Sequence, residues 1–260
     1  MVRLATAGAQ CGPALHQTGC YAANVIRIGK EDRLFVLTGA GVSAESGLPT
    51  FRGMNGLWRT FRVEELASPE AWRRDPALVW EFYSWRREVH RGVRPNPAHA
   101  ALAELETRLG ERMFLCTQNV DRLHEEGGST RVVHMHGELF KSRCESCDAP
   151  PFPDEREYKS LEQIARCACG DKIRPHIVWF GEQPFFLEEI AAALRACTVF
   201  VCVGSSGVVY PAAGFVQMIR GRAAVRTFYV GPEEPANLSA FDECFLGKAG
   251  ELLPELFRAV

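Results

Sequence analysis

The sequence lacks any long apolar run and any strong excess of charge. No stretch approaches the roughly 20 consecutive apolar residues of a membrane-spanning helix, so we expect no membrane partner. The formal net charge is −2, which gives no reason to expect nucleic acid as a partner. The first thirty residues contain no acidic side chain, but they also lack the apolar segment of a secretory signal. We expect a cytoplasmic monomer, with organelle targeting through the acid-free segment as the alternative location.

Segments typical of strands and of helices alternate along the chain. Four short apolar runs have the length of buried strands: Leu34–Leu37, Met113–Cys116, Thr198–Val203 and Val225–Val230. Between them, apolar residues recur at helical spacing over His99–Leu109, Leu187–Leu194 and Ala212–Ile219. This alternation predicts an α/β fold with a Rossmann-like parallel sheet and helices on both faces. In such sheets, ligands bind beyond the carboxyl ends of the strands.

Two segments interrupt this alternation. Residues 54–95 are rich in Trp, Phe and Arg, and we interpret them as a small helical insertion. Residues 140–175 carry clustered cysteines between proline-rich turns, and we interpret them as a small zinc-binding module. The large Rossmann-like part would then comprise about residues 31–53, 96–139 and 176–260, after an N-terminal extension of residues 1–30.

Four of the ten cysteines form two close pairs in the sequence, Cys144-x-x-Cys147 and Cys167-x-Cys169. Structural zinc prefers four such ligands in a tetrahedron, so this spacing predicts one structural Zn²⁺ rather than disulfides. The alternative, four free thiols, would leave reactive groups in a poorly cored segment. A zinc ribbon that binds nucleic acid would need a basic face, whereas residues 148–162 are acidic on balance.

Segments able to bind a polar ligand follow two of the predicted strands. Thr38–Gly47 contains a Gly-Ala-Gly turn, which serves either a phosphate or a tight strand–helix connection. Thr117–Asp121 offers amide and carboxylate groups for sugar hydroxyls and a carboxamide, or forms a plain polar turn. His134 and His136 are two residues apart and would point to opposite sides of an extended segment. A single histidine of this kind suits general-base chemistry.

The segment GAGVSAESGLPTFRG at residues 39–53 closely resembles the NAD-binding motif of the sirtuin family. TQNVD at 117–121, His-Gly at 136–137 and Gly-Ser-Ser at 204–206 resemble further sirtuin motifs in the same order. The resemblance implies NAD as the cofactor and His136 as the catalytic base. The cofactor-binding residues that it implies are Gly39, Ala40, Gly41, Ser43, Ser46, Phe51, Arg52, Gln118, Asn119, Asp121, Gly204, Ser205, Ser206 and Ala249.

The resemblance also implies how substrate binds and reacts. RPHIVWFGE at residues 174–182 is similar to the sirtuin segment that pairs with an extended substrate, with Val178 and Phe180 lining the lysine tunnel. In the implied reaction the acyl-lysine oxygen attacks C1′ of the nicotinamide ribose and nicotinamide leaves. His136 then acts as a base on a ribose hydroxyl, which attacks the resulting imidate, and collapse with water yields free lysine and acyl-ADP-ribose. The partners would be acylated proteins.

Tyr83 and Arg86 are three residues apart, so on a helix they share a face. A phenol beside a guanidinium is a good receptor for a carboxylate, because arginine donates charge-assisted hydrogen bonds in a fork. The alternative is a solvated arginine on an amphipathic helix. The Tyr-x-x-Arg pattern resembles the sirtuins that remove succinyl, malonyl or glutaryl groups. An enzyme restricted to acetyl groups would have no counter-charge for a buried Arg86.

We therefore expect an NAD-dependent protein-lysine deacylase that prefers negatively charged acyl groups and removes acetyl groups less well. The alternatives are a plain deacetylase, a mono-ADP-ribosyltransferase and a non-catalytic NAD sensor. The joint presence of Asn119, Asp121 and His136 counts against the sensor. The run Phe228–Pro232 lacks the asparagine that sirtuins often carry there, so no residue is assigned to the adenosine ribose.

Overall fold

All four apolar runs predicted as strands form parallel strands in a computed structural model of the chain. The structure describes residues 25–49, 57–58, 60–222 and 225–258. The strands in these ranges are β1 (Leu34–Thr38), β2 (Leu57–Trp58), β3 (Phe61–Arg62), β4 (Met113–Thr117), β5 (Val132–His134), β6 (Gly137–Cys144), β7 (Phe152–Pro153), β8 (Ile173–Ile177), β9 (Val199–Val203), β10 (Arg226–Gly231) and β11 (Glu243–Leu246).

The helices of the described ranges lie mostly between the strands of the main sheet. The α-helices are α1 (Gly41–Ala44), α2 (Val63–Leu66), α3 (Pro69–Arg74), α4 (Pro76–His90), α5 (Pro97–Leu109), α6 (Leu123–Glu126), α7 (Leu187–Ala196), α8 (Phe215–Ile219) and α9 (Ala249–Leu256). Short 3₁₀ helices cover Gly110–Arg112, Leu161–Gln163, Ala212–Gly214 and Leu238–Ala240. No helix among the described residues is both long and apolar enough to cross a membrane.

Within the described ranges, six strands form the main sheet in the order β11-β10-β9-β1-β4-β5, and every neighbouring pair is parallel. The predicted Rossmann-like α/β class is therefore confirmed. The sequence did not predict β5 and β11. Both lie at the edges of the sheet and are only partly buried, so neither needs a continuous apolar run.

Side chains of the central strand β1 alternate between the two faces of the sheet. Leu34 and Val36 belong to the core that includes α5 and α9. Phe35 and Leu37 belong to the core that includes α7 and α8. The sheet is thus covered on both faces, as predicted. Ile26, which was assigned to the N-terminal extension, is buried in the first of these cores, and its N–H donates to the Leu256 carbonyl at 2.9 Å.

Local signals explain the limits of α5. The helix begins after Asn96, whose side-chain oxygen accepts the Ala98 N–H at 2.9 Å, and Pro97 occupies its first turn. It ends before Gly110, whose φ of 57° lies in the left-handed region that favours glycine. The predicted stop at Gly110 is confirmed.

The two interrupting segments share a third core. It joins aromatic residues of α4, such as Trp80 and Phe82, to Ile173 of the cysteine-rich segment and to the flanking Leu139 and Trp179. Strands β7, β6 and β8 form an antiparallel sheet in that segment, while β2 and β3 form a hairpin before α2. We refer to the described residues of 57–90 together with 137–179 as the small lobe. The insertion and the module therefore form one packed unit.

Arg87 on α4 holds the two parts of the small lobe together. Its side chain is fully buried, and its guanidinium donates to the carbonyls of Leu139 at 2.9 Å and Arg156 at 2.6 Å. The buried carboxylate of Asp154 lies 3.6 Å away. Buried charges persist only when hydrogen bonds and counter-charges satisfy them in this way.

Replacing Arg87 with methionine should lower the free energy of unfolding by about 3 kcal/mol, because two carbonyls and part of the Asp154 charge lose their buried partner. Urea unfolding followed by fluorescence measures the change. The matched control is Arg73→Met, which removes an exposed arginine of α3 and should change stability by less than about 0.5 kcal/mol. A loss below about 1 kcal/mol for Arg87→Met would contradict this account.

Candidate functional site

The loops that follow β1, β4 and β9 meet at one edge of the main sheet, because β1 lies between β9 and β4. Such a switch point opens a crevice at the carboxyl ends of the strands, where ligands bind in α/β sheets. Thr38 and Thr117 end β1 and β4 in register, and the Thr38 hydroxyl donates to Thr117 Oγ1 at 2.8 Å. The Gln118 N–H donates to the Thr38 carbonyl at 2.9 Å. These contacts fix where two of the loops begin.

The Gly-Ala-Gly turn packs directly against the loop after β9. A Cβ on Gly39 would lie 2.8 Å from Ser205 Cα, and one on Gly41 would lie 2.7 Å from Gly204 Cα. The Gly41 N–H donates to the Gly204 carbonyl at 2.9 Å, and Gly204 itself has a φ of 63°. Glycine at 39 and 41 is therefore required for the close packing of the two predicted cofactor loops, and its role in binding a phosphate stays a prediction.

Ser43, Asn119 and Asp121 form one buried hydrogen-bonded group beside this turn. The Ser43 hydroxyl donates to Asp121 Oδ2 at 3.0 Å, and Asn119 Nδ2 donates to the Gly39 carbonyl at 3.1 Å. Burial raises the pKa of Asp121, although hydrogen bonds from Leu123 N–H and Ser43 oppose the shift. The predicted amide and carboxylate groups are thus held in place at the crevice.

His136 lies at the same edge and is held by the loop after β4. Its Nδ1 is 3.1 Å from the Gln118 carbonyl oxygen. A carbonyl can only accept, so Nδ1 carries the proton and Nε2 of the neutral ring can act as an acceptor. Burial lowers the pKa of His136, against a smaller opposing effect of this hydrogen bond. The Gln118 side chain donates to Ser205 Oγ at 3.0 Å and joins the loops after β4 and β9.

Two predicted cofactor residues lie at helix starts. Ala40 directly precedes α1, and Ala249 is the first residue of α9 and is buried. The Gly250 N–H donates to Glu45 Oε1 at 3.0 Å, so the start of α9 contacts the end of α1. The structure therefore brings Ala249 close to the turn although it is far away in the sequence.

The other predicted cofactor residues are less closely tied to this group. Ser46 Oγ accepts a hydrogen bond from Asn96 at 3.0 Å. Ser206 is half-buried in the loop after β9. Phe51 and Arg52 lie outside the described residues, so their predicted roles stay predictions.

Tyr83 and Arg86 lie side by side on α4, as the spacing predicted. The Arg86 guanidinium carbon is 5.7 Å from the centroid of the Tyr83 ring. Tyr83 is fully buried, and its hydroxyl oxygen accepts the Trp179 Nε1–H at 3.0 Å. Burial lowers the pKa of Arg86, while Tyr83 and Asp121 favour its charged form. Sequence reasoning missed Trp179, although an indole donor in an otherwise apolar segment was a usable signal.

The predicted substrate segment is anchored on two sides. The Val178 N–H donates to the His136 carbonyl at 3.0 Å, and the Phe180 N–H donates to the Ala67 carbonyl at 2.9 Å. Val178 is partly buried, whereas Phe180 is 46% exposed. Because Trp179 lies between them and contacts Tyr83, this segment connects His136 with the Tyr83–Arg86 pair.

Sulfur atoms of the four clustered cysteines converge at one end of the small lobe. Cys144 Sγ lies 3.5 Å from Cys169 Sγ, Cys147 Sγ lies 3.6 Å from Cys167 Sγ, and all four lie within 4.8 Å of one another. A tetrahedron with zinc–sulfur bonds of about 2.3 Å places its sulfur atoms about 3.8 Å apart. The cluster therefore fits a structural zinc ion in both donor chemistry and size.

NMR titration should give His136 a pKa below 6.5, because burial disfavours its charged form. The ring resonances can be assigned by their loss in His136→Ala. The stability contribution linked to this group should then be present at pH 7 and decline as the pH falls through the lowered pKa. A pKa at or above 6.5 would contradict the buried environment described above.

Comparison with known proteins places the chain in a family. The sequence pattern of the Sir2 family matches residues 39–211. The chain is similar to the NAD-dependent protein deacylase of Caulobacter vibrioides, with 50% identity over 225 residues that cover 85% of this chain and 94% of the relative. It is also similar to the NAD-dependent protein deacylase sirtuin-5, mitochondrial, of Canis lupus familiaris. That alignment of 278 residues has 39% identity and covers 96% of this chain and 89% of the relative.

Solved structures agree with the sequence comparison. A crystal structure of a Sir2 homolog–NAD complex matches with a TM-score of 0.79 and 42% identity, covering 88% of this chain and 90% of that chain. The family pattern, the identities and the shared fold support the same assignment. The chain is therefore an enzyme of the Sir2 family.

Proposed function

We propose that this Sir2-family enzyme, an NAD-dependent protein deacylase, prefers lysine acyl groups that end in a carboxylate, such as succinyl, malonyl or glutaryl. The observation that carries the proposal is the partly buried guanidinium of Arg86 beside the ring of Tyr83. A carboxylate is the ligand that this pair suits best, since arginine binds it through charge-assisted hydrogen bonds.

The surroundings of Arg86 favour an incoming negative charge. Burial disfavours the charged form of Arg86 and lowers its pKa, so a carboxylate placed beside it would stabilise that form. The hydroxyl of Tyr83 accepts a hydrogen bond from Trp179, so its own O–H can donate. A terminal carboxylate would accept from both groups, whereas an acetyl methyl group would accept from neither.

Bound NAD would supply an electrophilic ribose carbon and nicotinamide as a leaving group. Ser43, Asn119 and Asp121 are the groups best suited to hold its amide and its nearer ribose, because they already form a fixed polar group. His136, with its Nδ1–H held by the Gln118 carbonyl, would accept a proton from a ribose hydroxyl at Nε2. Its lowered pKa keeps it in the neutral form that a base requires at pH 7.

Acyl-lysine substrates would enter along the segment that contains Val178 and Phe180. The anchoring of Val178 to the His136 carbonyl holds this segment next to the proposed base. Exposure of Phe180 leaves apolar surface for the stem of the lysine. The segment would therefore align the acyl group between His136 and the Tyr83–Arg86 pair.

In Arg86→Met, kcat/KM for a succinyl-lysine peptide should fall about 10- to 100-fold, the scale of a lost charge-assisted hydrogen bond, and the value for the acetyl-lysine peptide should change little. Mass spectrometry of free lysine and acyl-ADP-ribose measures both rates. Arg73→Met is the matched control and should leave both rates unchanged. His136→Ala should abolish both reactions by at least about 100-fold.

Other outcomes separate the competing functions. Equal losses for both peptides in Arg86→Met, or faster removal of acetyl by the unmodified protein, would favour a plain deacetylase. Added mass on the target peptide without unmasked lysine would favour mono-ADP-ribosyl transfer. NAD binding without turnover of any acyl peptide would favour the sensor.

We also propose that the four cysteines hold one structural Zn²⁺. Their sulfur separations fit a tetrahedral ion, and the closed set of four ligands leaves no position for substrate. The ion would stabilise the small lobe because Cys144 ends β6 and the second pair precedes β8. It would take no part in the chemistry at His136.

Purified protein should contain about one zinc ion per chain by elemental mass spectrometry, and Cys147→Ser should lower that content and the melting temperature together. Cys244→Ser is the matched control, since this cysteine lies in β11 outside the cluster. Full zinc content in Cys147→Ser, or no zinc in the unmodified protein, would contradict the proposal.

A further inference from the structure

His134, the last residue of β5, lies between two groups that can only accept hydrogen bonds. Its Nδ1 is 3.0 Å from the Asn119 carbonyl oxygen, and its Nε2 is 2.7 Å from Glu125 Oε1. A carbonyl and an ionised carboxylate have no proton to give, so both ring nitrogens must donate. In this arrangement the buried ring of His134 is an imidazolium cation.

The ring joins three elements at the edge of the proposed NAD site. Asn119 belongs to the loop after β4, Glu125 belongs to α6, and His134 ends β5. The contact fixes the carbonyl of the same Asn119 whose side chain donates to the Gly39 carbonyl and to Ser43 Oγ. A change in the charge or position of His134 would therefore affect Asn119 and its hydrogen bonds in the proposed NAD site.

We propose that His134 is a positioning residue that, as an imidazolium paired with Glu125, holds the Asn119 loop in the form that binds NAD. The inference rests on the NAD site proposed above but not on the acyl preference. It gives a role to the first histidine of the His-Met-His sequence, next to the base proposed at His136.

The other charged groups near the ring are compatible with a cation. Glu138 and Asp121 interact favourably with a positive His134. His124 would repel it if charged, but burial lowers the pKa of His124 well below its ordinary value. Burial by itself would lower the pKa of His134 too, yet the hydrogen bond and charge of Glu125 outweigh it and raise the pKa.

A raised pKa sets the direction of the pH dependence. Stabilisation from the His134–Glu125 pair is fully present below pH 6.5, the ordinary histidine value, and is lost as the pH rises through the raised pKa. Affinity for NAD should consequently weaken as the pH rises through this raised pKa. His136 cannot produce this loss of affinity at alkaline pH, because its pKa is shifted downwards.

Nitrogen NMR of the full chain tests the charge directly, with the His134 signals assigned by their loss in His134→Gln. We expect both ring nitrogens to be protonated at pH 7 and to titrate above 6.5, and Glu125→Gln should lower that pKa. A neutral ring at pH 7, or a pKa unaffected by Glu125→Gln, would overturn the proposal. This measurement needs neither NAD nor an acyl peptide.

Steady-state kinetics at varied NAD concentration tests the positioning role. In Glu125→Gln, the KM for NAD should rise roughly tenfold with a smaller change in kcat, and the alkaline limb of kcat/KM should move to lower pH. Glu126→Gln, the neighbouring exposed glutamate on α6, is the matched control and should keep both values. An unchanged KM and pH profile in Glu125→Gln would overturn the role, whereas no turnover in the unmodified protein would instead count against the proposed function.

Discussion

Close contact between two loops determines the geometry of the candidate site. The Gly41 N–H reaches the Gly204 carbonyl, and neither Gly39 nor Gly41 has room for a Cβ against the loop after β9. This approach is possible because β1 and β9 are parallel neighbours at the switch point of the sheet. The loop after β4 then completes the crevice, since Asn119 donates to the Gly39 carbonyl and Ser43 donates to Asp121. Any side chain at these glycines would separate the groups that we propose to hold NAD.

Helix α4 carries a buried structural arginine directly after the arginine that we propose as the acyl-selectivity residue. Arg87 points into the small lobe, where carbonyls and Asp154 satisfy it completely. Arg86, one residue earlier and about 100° away around the helix, lies partly buried beside Tyr83 and within the influence of Asp121. Arg86 is thus the proposed ligand of an incoming carboxylate, while Arg87 fixes the position of the helix that carries it. Deacylase selectivity would thus depend on a core shared by two distant chain segments.

Much of the main sheet could be predicted because its central strands are continuous apolar runs, and α5 because Asn96 and Gly110 mark its ends. The edge strands β5 and β11 lack such runs and were missed. The shared core of the small lobe could not be predicted, since it depends on long-range packing that no local pattern records. In the same way, the spacing of His134 and His136 indicated that the two rings have different surroundings. It did not indicate that His134 pairs with Glu125. The roles of Phe51 and Arg52 stay predictions from the family resemblance.

The most direct test of the central claim changes only the charge of the acyl group. One peptide would carry succinyl-lysine and the other its uncharged amide, which has nearly the same shape. The unmodified enzyme would process both peptides in one mixture with NAD present, so that the two peptides compete. We predict that the succinyl group is removed at least roughly tenfold faster than its amide, because only the carboxylate would pair with Arg86 by charge-assisted hydrogen bonds. Equal rates for the two peptides would contradict it and would leave Tyr83 and Arg86 without a role in selectivity.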